Sequence, residues 1–382
     1  MTQQSDLEMQ ADRAAAAGDL AAARQALEQA VATSSGSLEL WTKLSAIRRA
    51  LGDLKGALAA IERALALSPL DFSSLLARAM LLERTGDRRA AEAFANAVAQ
   101  LPPDRDLPAA MACAVEHAKV RAAEHQATVE RRLLDALPAG LDDEHRQRLE
   151  RFASNTSRRT RHFHQEPTTF HFPGLPEIEF HDSAQFAGIE EIEAATDVIR
   201  AEYQALVELK TAELVPYSQY PEHVPLGQWR ELNNNPDWTA IHLLQNGRKV
   251  EANAKHCPQT LRLLSKLPQA TIPGASPNAM FSLLAPNTHI PPHTGVANVR
   301  LVAHLPLIVP PDCGFRCGAT TRPWNIGEAF VFDDTIEHEA WNHSDELRVV
   351  LIFDLWAPAL DETDRDGAAK LISARGVNFK GG

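Results

Sequence analysis

Two periodicities divide the chain. Over the first hundred residues small and apolar side chains return at helical spacing, and that spacing itself repeats. Gly18-Asp19, Gly52-Asp53 and Gly86-Asp87 stand 34 residues apart. Five positions after each glycine come Ala23, Ala57 and Ala91, twelve after come Ala30, Ala64 and Val98, seventeen after come Ser35, Pro69 and Pro103, and eleven before come Leu7, Trp41 and Leu75. Small residues recur where helices approach closely, and glycine where the chain turns between them. Helical pattern continues through 108–153 with a break at Pro138-Ala-Gly140, as two helices that cover the last apolar face. Ile189, Ile192, Ile199, Tyr203 and Leu206 predict another amphipathic helix over about 185–210. From 279 the period becomes two. Along 298–307, Asn298, Arg300, Val302 and His304 share one face and Val299, Leu301, Ala303 and Leu305 the other. Strands are also predicted at 328–332 and 347–355, with turn signals at Pro310-Pro-Asp-Cys-Gly314 and Asn342-His-Ser-Asp345.

These elements describe an α+β multidomain chain. Residues 1–153 read as an α-helical solenoid with capping helices, and the polar, basic, aperiodic stretch 154–168 as a linker whose His162 and His164 read as solvated surface, with metal binding the alternative. Residues 169–360 read as a double-sheet jelly roll, or double-stranded β-helix, with flanking helices, and 361–382 as a polar tail that frays. The 34-residue period, with Gly at the turn, Ala at the contacts and Pro after the second helix, resembles the tetratricopeptide repeat (TPR).

Composition sharpens this picture by exclusion. With 45% hydrophobic and 23% charged residues in 382, the chain is neither collagenous, disordered nor a disulfide scaffold. Its net charge of −12 is uneven: residues 1–103 carry 11 Lys/Arg against 12 Asp/Glu, the rest 27 against 38. A nucleic-acid partner needs a basic footprint, so none is expected. Four cysteines are too few for a disulfide framework, and Cys313-Gly-Phe-Arg-Cys317 lacks a second pair for zinc; both read as packing residues beside a turn. The start MTQQSDLEMQADR has no basic stretch leading into an apolar run, and no uncharged apolar run of about 18 residues occurs, so a cytoplasmic protein without a membrane partner is expected.

Candidate chemistry sits on the predicted strands. Arg300, His304 and Arg348 fall where a barrel interior should be apolar. A buried guanidinium needs a carboxylate, and for Arg348 either Asp354 or a bound acid could serve. His293, in His289-Ile-Pro-Pro-His293-Thr-Gly295, and His338 lie 45 residues apart, with Arg348 ten residues further on. Two imidazoles delivered from strand ends, followed by an arginine that forks onto a distal carboxylate, reproduce the layout of non-haem iron oxygenases using 2-oxoglutarate. His289 shares the parity of His293 in an extended run and reads as structural, with metal binding the alternative; Glu337 and Glu339 read as supports.

At these residues the sequence resembles the aspartyl/asparaginyl β-hydroxylases. The resemblance spans roughly 170–358 and is densest at Ser282, His293-Thr-Gly295, Arg300, His304-Leu-Pro-Leu307, Gly314-Phe-Arg-Cys317, Thr321-Arg-Pro-Trp324, Phe332-Asp-Asp334, Glu337-His-Glu339 and Arg348. It implies Fe(II) on His293 and His338, 2-oxoglutarate on Ser282, His304 and Arg348, the substrate carboxylate on Arg300, and an iron-bound water oriented by Asp334. O2 is the co-substrate. Gly295 stands where most such oxygenases carry a third, carboxylate ligand, leaving the vacancy to water or to a halide. Val302 replaces a second arginine of the vertebrate members. The implied activity is β-hydroxylation of Asp or Asn in a peptide or protein held with help from the TPR-like helices. Alternatives are the same chemistry on a small molecule or acyl chain, and a catalytically inactive TPR adaptor.

Overall fold

The computed structural model describes residues 3–33, 37–103, 109–209, 212–221, 223, 226–231 and 233–376. They form two compact units, 1–161 and 162–382.

In the first unit, α1 (Gln3–Ala16) pairs with α2 (Leu20–Thr33), α3 (Leu38–Ala50) with α4 (Leu54–Leu67) and α5 (Phe72–Arg84) with α6 (Ala90–Val98), followed by α7 (Ala112–Asp135) and α8 (Asp143–Thr156). The recurring Gly-Asp has a double purpose. Gly18, Gly52 and Gly86 take φ of 81°, 82° and 69°, the left-handed region that closes a helix at little cost. The following aspartate then accepts a backbone N–H of the next turn: Asp19 from Ala22, Asp53 from Gly56 and Asp87 from Arg89, each at 2.9 Å. Ala23, Ala26, Ala30 and Ala57, Ala60, Ala64 are buried at the helix contacts. The third repeat slips. Its second helix starts at Ala90, so Ala90, Ala93 and Ala97 carry the contact and Ala91 is half-buried. Ser35 lies outside the described residues.

The second unit contains β1 (Phe180–His181), β2 (Leu214–Pro216), β3 (Trp238–Gln245), β4 (Arg248–Lys249), β5 (Ala279–Leu284), β6 (Thr288–His293), β7 (Arg300–Ile308), β8 (Cys313–Cys317), β9 (Thr320–Arg322), β10 (Phe330–Phe332), β11 (His338–Asn342) and β12 (Arg348–Trp356). A large antiparallel sheet runs β1-β10-β7-β12-β5-β3-β2, with β4 on β3, and a small one runs β6-β11-β8-β9. The arrangement is a β-sandwich compatible with the expected jelly roll. Strands β7 and β12 are buried on both faces. Leu301, Leu305, Val331 and Leu351 join the core shared with the helices α9 (Ile189–Ala194), α10 (Thr196–Glu208) and α12 (Pro258–Leu264); the short α11 (Glu251–Ala254) precedes the last. Val302, Phe315, Phe332 and Ile352 form the smaller core between the sheets.

Three expectations change. The segment 361–382 is not a fraying tail as far as it is described: Asp361 caps α13 (Glu362–Arg375), accepting from Asp364 N–H at 2.8 Å, and Ala368 and Ile372, one helical turn apart, are buried. The linker is shorter than 154–168, because α8 runs to Thr156 and Gln165 already bridges to Ile336. The run Cys313–Cys317 is a strand, held by β11 on one side and β9 on the other. Among the described residues no helix is long and apolar enough to cross a membrane.

Candidate active site

His293 ends β6, His338 begins β11, and the two are paired across the ladder with ring centroids 4.1 Å apart. Each ring is oriented by its own backbone. Nδ1 of His293 lies 2.8 Å from the Pro291 carbonyl and Nδ1 of His338 3.0 Å from that of Ile336. A carbonyl only accepts, so both Nδ1 atoms carry the proton and both Nε2 atoms the lone pair. Burial keeps the rings neutral, lowering His293 to about 4, and, together with the neighbouring His293, holding His338 well below the ordinary range. Both line a cavity between the sheets. Gln228 clamps the next residue, donating to the Thr294 carbonyl at 2.7 Å and accepting its N–H at 3.1 Å.

His289 does not join them. It is half exposed and pairs with Glu339 at 2.8 Å, while Ile290 lines the cavity. The reason is a bulge. His293 and Ile290, three apart on β6, oppose His338 and Ala340, two apart on β11, and one extra residue reverses the parity. Glu337 and Glu339 are supports, both paired with Arg316.

The two buried arginines differ. Arg348 lies with its guanidinium 4.7 Å from the Trp324 ring, Nη1 makes a long contact of 3.4 Å to the Ser282 carbonyl, and Nε has no partner among the described residues. Among the described residues no carboxylate pairs with it, and burial lowers its pKa to about 10. Ser282 accepts from the Trp238 indole N–H at 3.1 Å, and His304 from that of Trp324 at 3.4 Å. Ser282, His304 and Arg348 therefore share one wall of the cavity, with Val302, Phe315 and Ile352 around them.

Arg300 is held by two carboxylates of the protein. It is fully buried, is not among the side chains lining the cavity, and binds Asp334 at 2.9 Å and Asp354 at 3.2 Å. Asp354, one of two partners considered for Arg348, is thus engaged elsewhere. Asp333 and Asp334 also differ. Asp333 accepts from Thr335 and Gln165, whereas Oδ1 of Asp334 is buried without a partner among the described residues, and Asp334 lines the cavity. Burial pushes Asp334 up to about 7 despite Arg300, because that one guanidinium is shared with a second carboxylate.

These observations test the iron site. A Cβ on Gly295 would collide with the Asp334 carboxylate, so the glycine is required by the aspartate beside it. Among the described residues no third His, Cys, Asp or Glu completes a ligand set with His293 and His338. Two neutral imidazoles, an orphaned carboxylate oxygen and a guanidinium without a carboxylate among the described residues, all lining one cavity, fit a two-histidine iron centre with an acidic co-substrate. Sequence reasoning missed Trp238, Tyr217 and Gln228. Tyr217 stacks on Trp238 at 3.9 Å, but both precede the region where period-two alternation is legible.

Comparison with known proteins agrees. The chain is 38% identical over 136 residues to human aspartyl/asparaginyl beta-hydroxylase, covering 35% of this chain and 18% of that one. It is 36% identical over 181 residues to the ornithine lipid ester-linked acyl 2-hydroxylase of Rhizobium tropici, covering 47% and 60%. It is 31% identical over 207 residues to human aspartate beta-hydroxylase domain-containing protein 2, covering 53% of each. The chain therefore spans less than two thirds of each of these relatives. Residues 193–358 match the Aspartyl/Asparaginyl beta-hydroxylase family. This part of the chain, which holds the paired histidines and Arg348, is therefore similar to that family.

Proposed function

We propose that this chain is an Fe(II)- and 2-oxoglutarate-dependent dioxygenase that hydroxylates the β-carbon of Asp or Asn in a peptide or protein. One observation carries the reading: Arg348 is wholly buried in the cavity, and among the described residues no carboxylate pairs with it. A buried guanidinium is stable only against an anion, and a dicarboxylic co-substrate brings one.

His293 and His338 would hold the metal through Nε2; Arg348 would take the distal carboxylate of 2-oxoglutarate, with Ser282 and His304 beside it. When bound, the iron and its co-substrate activate O2, placing one oxygen atom on a substrate C–H and releasing succinate and CO2. The chain's own contribution is orientation and dryness. Phe315, Phe332 and Ile352 exclude water, and Asp334 offers Oδ1 to a water near the histidines. Arg300 acts through Asp334, which it anchors. The helical repeats of residues 1–161 would supply binding energy for a polypeptide substrate away from the reacting carbon. The four unpaired cysteines support a cytoplasmic, reducing location.

The test is anaerobic addition of Fe(II) and 2-oxoglutarate, read by the visible charge-transfer band of the chelate, then oxygen and a succinate assay with mass spectrometry of the product. A gain of one oxygen is expected. A chlorinated product, or no succinate, overturns the reading.

A further inference from the structure

The segment that opens the second unit gathers another set of metal-ligating side chains. Phe163 packs against the core between the sheets and lies 5.6 Å from the Arg316 guanidinium. His162 and His164, on either side of it, meet each other, with ring centroids 4.2 Å apart and planes at 89°. His162 Nδ1 is 3.1 Å from His164 Nε2. Glu177 completes the group and is itself oriented. Its Oε1 accepts the Gln165 N–H at 3.0 Å, leaving Oε2 at 3.1 Å from His164 Nδ1 and 3.7 Å from His162 Nε2.

Gln165 in turn is anchored. Its side-chain amide donates to Asp333 at 2.5 Å and accepts from Asn298 at 2.9 Å. The carboxylate therefore stands on a rigid support. One ligand atom from each of the three side chains lies within 4.8 Å of the others. Around zinc, with bonds of about 2.0–2.1 Å, tetrahedral ligand atoms stand roughly 3.3 Å apart, so small rotations of exposed side chains close the set. Side chains 57%, 63% and 32% exposed have water available and no need to converge. Two imidazoles and a carboxylate are the donor set that borderline-soft divalent ions prefer.

We propose that His162, His164 and Glu177 form a surface site for a divalent transition-metal ion, zinc(II) foremost, with the fourth position open to solvent. The ion clamps the entry segment of the second unit to the loop that bears Glu177. Its ligands are distinct from His293 and His338, so the site stands whether or not those bind iron.

The test is calorimetric titration of the metal-stripped full chain with zinc(II). His162→Ala/His164→Ala should lose one zinc per chain relative to wild type, and Glu177→Gln should weaken that same site by about tenfold or more. All three side chains contact solvent, so folding is not at stake. His293→Ala is titrated alongside, and its loss is read separately, so a failed iron site does not mask this one. Unchanged stoichiometry in the double variant, or indifference to Glu177→Gln, overturns the proposal.

Discussion

The surroundings of Arg300 and Arg348 differ although both arginines are fully buried in the same sandwich. Around Arg300 the protein supplies its own counter-charges. Asp354 accepts from Arg300 and also from Ser276 Oγ at 2.7 Å and Asn278 N–H at 2.8 Å, so that carboxylate is fully engaged. Burial pulls Arg300 down, but Asp334 and Asp354 outweigh it and hold its pKa above the ordinary value. Around Arg348 there is an aromatic face and a carbonyl, and burial prevails. A buried charge with internal partners is part of the fold; one without them is a receptor for a ligand.

The largest expected effect is on the paired histidines of the cavity. His293→Ala and His338→Ala should each cut succinate formation to below about a hundredth, since each removes half of the protein's ligands. A succinate assay at saturating iron checks this, and wild-type rates in either variant would remove the metal assignment. The comparison itself is tested by replacing each arginine with methionine. Arg300→Met strands Asp334 and Asp354 and should cost about 3–5 kcal/mol of stability in urea unfolding. Arg348→Met strands nothing and should leave unfolding nearly unchanged while abolishing the chelate band. Equal destabilisation of the two variants would refute the distinction.

Much of this was legible in the sequence, for identifiable reasons. The alternation along 298–307 put Val302 and His304 on the cavity side, where they are, because β7 runs without a bulge in its pairing to β10. His289 was misplaced in parity because a bulge adds a residue that no period-two count registers. The pairing of Asp354 could have been settled by arithmetic. Arg348 and Asp354 are six residues apart on one strand, about 20 Å, too far to touch. Arg300 faces Trp356 across the ladder, which brings it beside Asp354. The helix α13 had its signals as well, Asp361 as a cap and Ala368 with Ile372 at i, i+4, but they were outweighed by the polarity of the stretch.

A smaller effect separates charge from geometry at Arg348. Lysine keeps the positive charge and loses the fork. Arg348→Lys should raise the 2-oxoglutarate concentration needed for half-maximal succinate formation by about tenfold, or roughly 1.4 kcal/mol. An unchanged requirement would mean that the carboxylate binds elsewhere.

The smallest effect concerns Asp334, and it is a slope rather than a level. Burial lowers His293 to about 4, so between about 4 and 6.5 the unfolded chain holds a proton that the folded one does not, and acid costs stability. Asp334, raised to about 7, works in the opposite sense. Between its unfolded value of 3.8 and about 7 the folded chain holds the extra proton, so this contribution is present in acid and lost as pH rises through 7. In the window from about 4 to 6.5 the two oppose each other. Asp334→Asn keeps the shape and removes only the titration. At neutral pH it should not destabilise the metal-stripped chain, because the fold already disfavours the ionised carboxylate there. Between pH 6.5 and 4.5 it should steepen the acid loss by up to about 1.4 kcal/mol per pH unit, read as urea midpoints at half-unit steps. A slope equal to wild type would show that Arg300 keeps Asp334 ionised throughout, and that the region around Arg300 is a fully charged triad rather than one sharing a proton.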